Sequence, residues 1–321
     1  MTSRRLIRIK VLQLLYAYTK KEGATLSEVE KDLFKSITKS TDLYYHIFLL
    51  LTEIQHKAFM KVDAARNRLL VSERDLNPNT RFVDNPVIAQ IAQNRQFKNY
   101  VRGNLVSLTD IPEIINLLFN RLTESEFYQQ YMDKPEVTYN DHKSLVLSLI
   151  SELIAPDEDF YQAMEEKNIF WNDDFELVLS IAYKTIKNLR EDTSEEEAIF
   201  IPIYIEDEDN SYAKELFRHT ALGMQENTIL IDKFTLNWDI ERISDMEKLI
   251  MNVAITELKH FPSIPVKVTF DEYIEIAKSY CSGKSSSFIN GILDNILAQL
   301  KEKGEIQKTG RGLMEGIGES L

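Results

Sequence analysis

Ser244-Asp-Met-Glu-Lys-Leu-Ile-Met-Asn-Val-Ala-Ile-Thr-Glu-Leu258, Ile264-Pro-Val-Lys-Val268, Phe270-Asp-Glu-Tyr-Ile-Glu-Ile-Ala-Lys278 and Ser287-Phe-Ile-Asn-Gly-Ile-Leu-Asp294 follow one another near the end of the chain, and three helices are legible in them. In the first, Met246, Leu249, Ile250, Val253, Ala254 and Leu258 recur at i, i+3, i+4, i+7, i+8 and i+12, one apolar stripe on an amphipathic helix. Ser244 and Glu247 have the spacing of a capping box at its start. Pro262 and Pro265 end it, because proline lacks the N–H a helix needs and pushes the residue before it toward extended geometry. Thr269 and Glu272 repeat the capping spacing before the second helix. In the third, Phe288, Ile289, Ile292, Leu293, Ile296, Leu297 and Leu300 make a wider apolar face, the pattern of a helix at the centre of a bundle.

Outward from this stretch, 321 residues suffice for about two domains with cores of their own. The single cysteine, Cys281, excludes an internal disulfide framework and suits a reducing compartment. No apolar run approaches the roughly 20 residues needed to cross a bilayer, and Arg4, Arg5 and Arg8 are not followed by a signal-peptide core. A cytoplasmic protein with no membrane partner is the expectation. A formal charge of -13 argues against nucleic-acid binding by the whole surface. One local exception stands at the start, where Arg4, Arg5, Arg8, Lys10, Lys20 and Lys21 outnumber Glu22.

From Arg4 to Tyr18 the chain is apolar on nearly every side, which predicts a largely buried helix with a basic first turn. Gly23 closes it, and Ser27 with Glu30 is the expected cap of the next. Helices are predicted over about 41–74, 87–101, 112–131, 141–154, 158–167, 174–190, 212–224 and 228–238, with prolines and Asn77-Pro78-Asn79 at boundaries. Asp173–Lys187 can be laid on Asp245–Lys259 at an offset of 72, matching Leu177 with Leu249, Ile181 with Val253 and Ile186 with Leu258. Either a degenerate repeat or the general likeness of amphipathic helices accounts for this. The acidic clusters at 191–197 and 206–209 lack the histidines or spaced ligands of a metal site, so they are expected to be solvated faces. Five of the ten glycines fall after Leu300, and residues 303–321 are expected to be a disordered tail.

The search for an enzyme finds little. Gly283-Lys284-Ser285 ends like a phosphate loop, but Lys278 stands where its first glycine belongs and a helix precedes it. Gly310-Arg311-Gly312 lacks the flanking strand and helix of a dinucleotide site. His46, His56, His142, His219 and His260 show no zinc spacing, and Cys281 has no nucleophile signature. No catalytic residue, metal or cofactor is expected.

Arg4-Arg5-x-x-Arg8 leading to Val11-Leu-Gln-Leu-Leu-Tyr16, Glu215-Leu-Phe-Arg218, Glu247 to Leu258, Ile264-Pro-Val-Lys-Val268 with Glu275-x-Ala277-Lys278, and Phe288-Ile-Asn-Gly-Ile-Leu-Asp294 together resemble the NusB family of transcription antitermination factors. The resemblance covers roughly 4–20 and 205–300. It implies an all-α fold, a NusB-like helical bundle with an additional helical domain or insertion. The expected divisions are 1–24 (first helix), 25–194 (additional helical region, an insertion or a decayed repeat), 195–302 (main helical domain) and 303–321 (tail).

In that family a heterodimer with the ribosomal protein NusE binds the boxA element of ribosomal RNA leaders and helps RNA polymerase ignore terminators. Carried over by position, this implies phosphate contacts from Arg4, Arg5 and Arg8 and base contacts near Tyr16 and Phe288, with the antitermination complex of RNA polymerase as the wider partner. Guanidinium suits phosphate, and aromatic rings offer stacking faces to unpaired bases. Phe288 and Tyr16 also fit a purely packing role. Leu6 interrupts what is often a longer arginine run, and Lys284 stands where family members often carry an acid, so it joins the RNA-binding candidates. Two alternatives compete: a protein-interaction scaffold in ribosome biogenesis that uses the central helices, and a ribosomal RNA methyltransferase, which would need a glycine-rich cofactor loop after a strand.

Overall fold

A computed structural model describes residues 2–67, 77–235 and 243–313, and among these residues every regular element is helical. In chain order the helices are α1 (Thr2–Lys20), α2 (Leu26–Arg66), α3 (Pro86–Gln93), α4 (Arg95–Gly103), α5 (Pro112–Glu124), α6 (Glu126–Asp133), α7 (Tyr139–Ser148), α8 (Glu158–Lys167), α9 (Phe175–Asn188), α10 (Glu206–Thr235), α11 (Asp245–His260), α12 (Val266–Tyr280) and α13 (Ser285–Glu302). Two compact units divide them. One holds Ser3–Ile37 and the described residues from Tyr204 on; the other is Thr38–Ile203. These boundaries differ from the sequence divisions at 24/25 and 194/195, because α2 is continuous: Val29, Leu33 and Ile37 pack into the first core, and the rest of the helix belongs to the second unit.

In the first unit the central helix is α11. Every residue from Leu249 to Leu258 is buried, including Asn252, Thr256 and Glu257. The apolar stripe described only half of this helix, because its polar side is buried too and held by hydrogen bonds, with Asn252 Oδ1 left without one. Asn252 Nδ2 donates to the Lys248 carbonyl (2.9 Å), Thr256 Oγ1 to the Asn252 carbonyl (2.9 Å), and Asn227 Nδ2 to Thr256 Oγ1 (3.2 Å). The helix expected at the centre, α13, buries one face through Ile289, Ile292, Leu293, Ile296 and Leu300.

The Ser244–Glu247 capping box forms, with Ser244 N donating to Glu247 Oε2 at 2.7 Å and Glu247 N to Ser244 Oγ at 3.2 Å. The other two caps need correction. Thr25, not Ser27, caps α2: it shares a reciprocal pair of hydrogen bonds with Glu28, which leaves Glu30 for Arg218. Thr269 lies inside α12, which starts directly after Pro265, and its hydroxyl donates to Glu257 instead (2.8 Å).

The second unit has its own core, with Tyr44, Phe48, Leu51, Phe82, Phe119, Phe160, Phe175 and Phe200 all buried. Phe48 and Phe200 meet edge to face at 4.9 Å, and Tyr45 stacks on Tyr100 at 3.7 Å. Pro86 and Pro112 occupy first-turn positions of α3 and α5, where a missing N–H is harmless. The single helix expected over 87–101 is two, because the Asn94 side chain accepts from Gln96 N (3.0 Å) and Phe97 N (3.3 Å) and starts α4 afresh. Ser125 also separates α5 from α6, in extended backbone geometry and without a side-chain cap. In the first unit the opposite occurs, and the two helices expected over 212–238 are the one helix α10 as far as Thr235. The parts of these expectations on 68–74 and 236–238 lie outside the described residues.

Residues 303–313 are not a loose tail. Lys308 Nζ donates to the Phe261 carbonyl (3.1 Å) and Thr309 N to the Pro262 carbonyl (3.0 Å), and Glu305 pairs with Lys259 at 3.4 Å. A Cβ at Gly312 would lie 1.9 Å from the Pro262 carbonyl oxygen, so the close approach requires glycine. Residues 314–321, with Gly316 and Gly318, lie outside the described residues.

Candidate nucleic-acid interface

The position of α1 decides which of its residues reach the surface. It runs antiparallel to α11: Arg8 meets Glu257 at 2.8 Å and Lys20 meets Asp245 at 2.5 Å, twelve residues on in one helix and twelve back in the other. It runs parallel to α12: Arg5 meets Glu272 at 2.8 Å and Gln13 meets Tyr280 at 3.1 Å, eight residues on in both. The arginine end of α1 therefore lies beside the first half of α12. Gln13, one turn before Tyr16, reaches Tyr280, the last residue of α12 before the turn that leads through Lys284 into α13. Eleven residues at 1.5 Å each put about 16 Å of helix between Arg5 and Tyr16.

Arg8 is an interior residue, 2 % exposed, and this corrects its expected role as a phosphate contact. Its Nε and Nη2 both donate to Glu257, at 2.8 and 3.0 Å. Glu257 is fully buried and also accepts from Thr269 Oγ1 (2.8 Å), Tyr273 O–H (3.3 Å) and Tyr212 O–H. The rings of Tyr212 and Tyr273 flank the guanidinium at 5.7 and 5.9 Å. Burial, and then the charge of Glu257, push both phenols well above the ordinary tyrosine range. Burial opposes the charge of Arg8, but Tyr212 and Glu257 more than offset it, and the guanidinium stays cationic. This network joins α1, α10, α11 and α12. Apart from Arg8 its members were missed in the sequence; Glu257 on an otherwise buried stretch was the available signal, because a buried carboxylate needs a cation.

Arg4 and Arg5 are partly exposed, and both are paired. Arg4 Nη2 lies 2.6 Å from Glu208 and its Nε 4.0 Å from Asp209; Arg5 is bidentate to Glu272 at 2.8 and 3.1 Å. Glu272 also lies 3.7 Å from Arg8. Among the described residues three arginines thus face four carboxylates within 4.0 Å, so the guanidinium charges of a run that is basic in sequence are matched by acids in the fold.

At the other end Tyr16 is 37 % exposed, with Lys20 Nζ 5.4 Å from its ring. Lys284 is exposed at the N-terminus of α13, and among the described residues no carboxylate pairs with it. Phe288, one turn on, is half-buried and packs against the core, so it is in part a core residue. Cys281, in the turn between α12 and α13, is half-buried, and burial pushes its thiol up to about 11, away from nucleophile chemistry. Among the described residues no group of three or more His, Cys, Asp or Glu could hold a metal, and no helix is long and apolar enough to cross a membrane.

The sequence pattern of the NusB family matches residues 175–298, so α9 and α11 fall within one match and the offset of 72 relates two different helices of it. Three proteins named transcription antitermination protein NusB align with parts of the chain. That of Salinibacter ruber is 44 % identical over 111 residues, 34 % of this chain and 69 % of the relative. That of Chloroherpeton thalassium is 44 % identical over 85 residues (26 % and 40 %), and that of Natranaerobius thermophilus 36 % identical over 91 residues (28 % and 66 %). No solved structure matches. The chain belongs to the NusB family, which is non-enzymatic, and it carries an additional helical region ahead of the matched domain.

Proposed function

We propose that the chain is an RNA-binding transcription antitermination factor that takes a boxA-type ribosomal RNA leader together with a NusE-like ribosomal protein, in an antitermination complex of RNA polymerase. The observation that carries this is the likeness to a relative bearing that name over 69 % of its length. The surface supports a division of labour. Tyr16, Lys284 and the accessible part of Phe288 offer stacking faces and a cation to unpaired bases and their phosphates. Arg4 and Arg5 contact phosphate farther along α1, and Arg8 anchors the helix that presents Arg4, Arg5 and Tyr16.

A charge of -13 and arginines already paired with carboxylates imply weak binding by the protein alone and a composite surface with a basic partner. The test is the Kd for a boxA-type RNA with and without the NusE-like protein at two salt concentrations. The expected result is a tighter complex with the partner and a log Kd that rises with log salt by about 0.7 per phosphate contact. Equal affinity with and without the partner overturns the proposal.

A further inference from the structure

Building on the RNA-binding role proposed above, we infer that Glu208 and Glu272 are affinity-setting residues: in the free protein their carboxylates occupy the arginine edges that RNA phosphates take, so that binding exchanges carboxylate for phosphate. The argument starts from a graded set of ion pairs. Arg8 and Glu257 are 2 % and 0 % exposed as side chains and locked by five hydrogen bonds into Glu257, so this pair does not exchange. Arg4 and Glu208 are 32 % and 65 % exposed, and Arg5 and Glu272 are 40 % and 17 % exposed. Pairs open to solvent hold weakly and reopen readily.

Among the described residues no carboxylate takes the Nη1 group of either exchangeable arginine, and the face of the Arg4 guanidinium lies 5.2 Å over the Tyr212 ring. Glu272 takes Nε and Nη2 of Arg5 and Glu208 takes Nη2 of Arg4, while a guanidinium carries five N–H groups in all. Asp209 is the weaker neighbour of Arg4, with its Oδ1 4.0 Å from Nε while its Oδ2 accepts from Ile205 N (2.8 Å). An arriving phosphate thus meets a charged, oriented guanidinium whose neighbouring carboxylate repels it. Phosphate contacts carry no sequence information. The carboxylates therefore hold down sequence-independent binding and leave discrimination to the tyrosine end of α1.

The experiment measures Kd for a boxA-type RNA and for oligouridine of the same length, with the NusE-like partner present. The proteins are wild type, Glu208→Gln, Glu272→Gln, Arg4→Ala, Arg5→Ala and the double variants Arg4→Ala/Glu208→Gln and Arg5→Ala/Glu272→Gln. Each glutamine variant should tighten both RNAs by about two- to fivefold, and the gain should vanish in the matching arginine background. Glu272 also lies near Arg8, so thermal melting checks its variant; Glu208 is exposed and tests the inference without that concern. Unchanged or weaker binding by Glu208→Gln, or a gain undiminished in the Arg4→Ala background, overturns the inference while the RNA-binding role stands. A wild type that binds neither RNA overturns both.

Discussion

Glu257 and Arg8 are the two charges on which the first unit depends most. Removing either from water costs several kcal/mol, and the expense is tolerable only while each satisfies the other. Glu257→Gln or Arg8→Met leaves one uncompensated, and either should destabilise the protein by about 3–5 kcal/mol in urea unfolding. The double variant Arg8→Met/Glu257→Leu should recover much of that loss. In the second unit His46 is 5 % exposed, its Nδ1 2.7 Å from the Asp42 carbonyl and its ring against Trp171. Burial first, helped by the charge of Lys167, lowers its pKa against the opposing pull of Asp42, and burial lowers those of His142 and His260 as well. Neutral imidazole is thus favoured in the fold, and the unfolded chain binds more protons as pH falls through about 6.5. Stability should drop between pH 7.5 and 5.5, measured as the urea midpoint, and drop less in His46→Leu. A midpoint that rises on acidification contradicts this assignment.

At the scale of elements, α11 is surrounded and α10 is half open. Ile250→Ala, at a site with no exposure, should cost about 2–5 kcal/mol, whereas Leu222→Ala on α10, where the side chain is 77 % exposed, should stay within about 0.5 kcal/mol. Asn94→Ala should cost about 1 kcal/mol, since its side chain starts α4. Helix type was legible almost everywhere, because apolar spacing and proline positions report it directly. Helix ends were not. Asn94 and Ser125 are single polar residues at which the chain breaks from one helix into the next, which periodicity does not see, while Asn227 looks like a breaker but spends its amide inside the bundle. The centrality of α11 was hidden for a related reason: a stripe counts only apolar residues, and Asn252, Thr256 and Glu257 are buried through hydrogen bonds made by other helices.

At the scale of the molecule, charge read along the chain is a poor guide to charge in space. The basic start of α1 meets acids more than 200 residues away, and one of its three arginines is interior. Of the aromatic candidates, Tyr16 keeps an exposed face and Phe288 is divided between core and surface. Excising residues 25–194 would remove Val29, Leu33 and Ile37 from the first core, so such a deletion reports on folding before it reports on the central helices. The most direct test of the proposed interface is the Kd for a boxA-type RNA, with the NusE-like partner, of the variant Tyr16→Ala/Lys284→Ala against wild type. Both side chains are exposed, so melting should be unchanged while affinity falls about tenfold or more, the worth of one stacked base and a phosphate contact. A variant that melts normally and binds as tightly as wild type would place the RNA elsewhere and contradict the account.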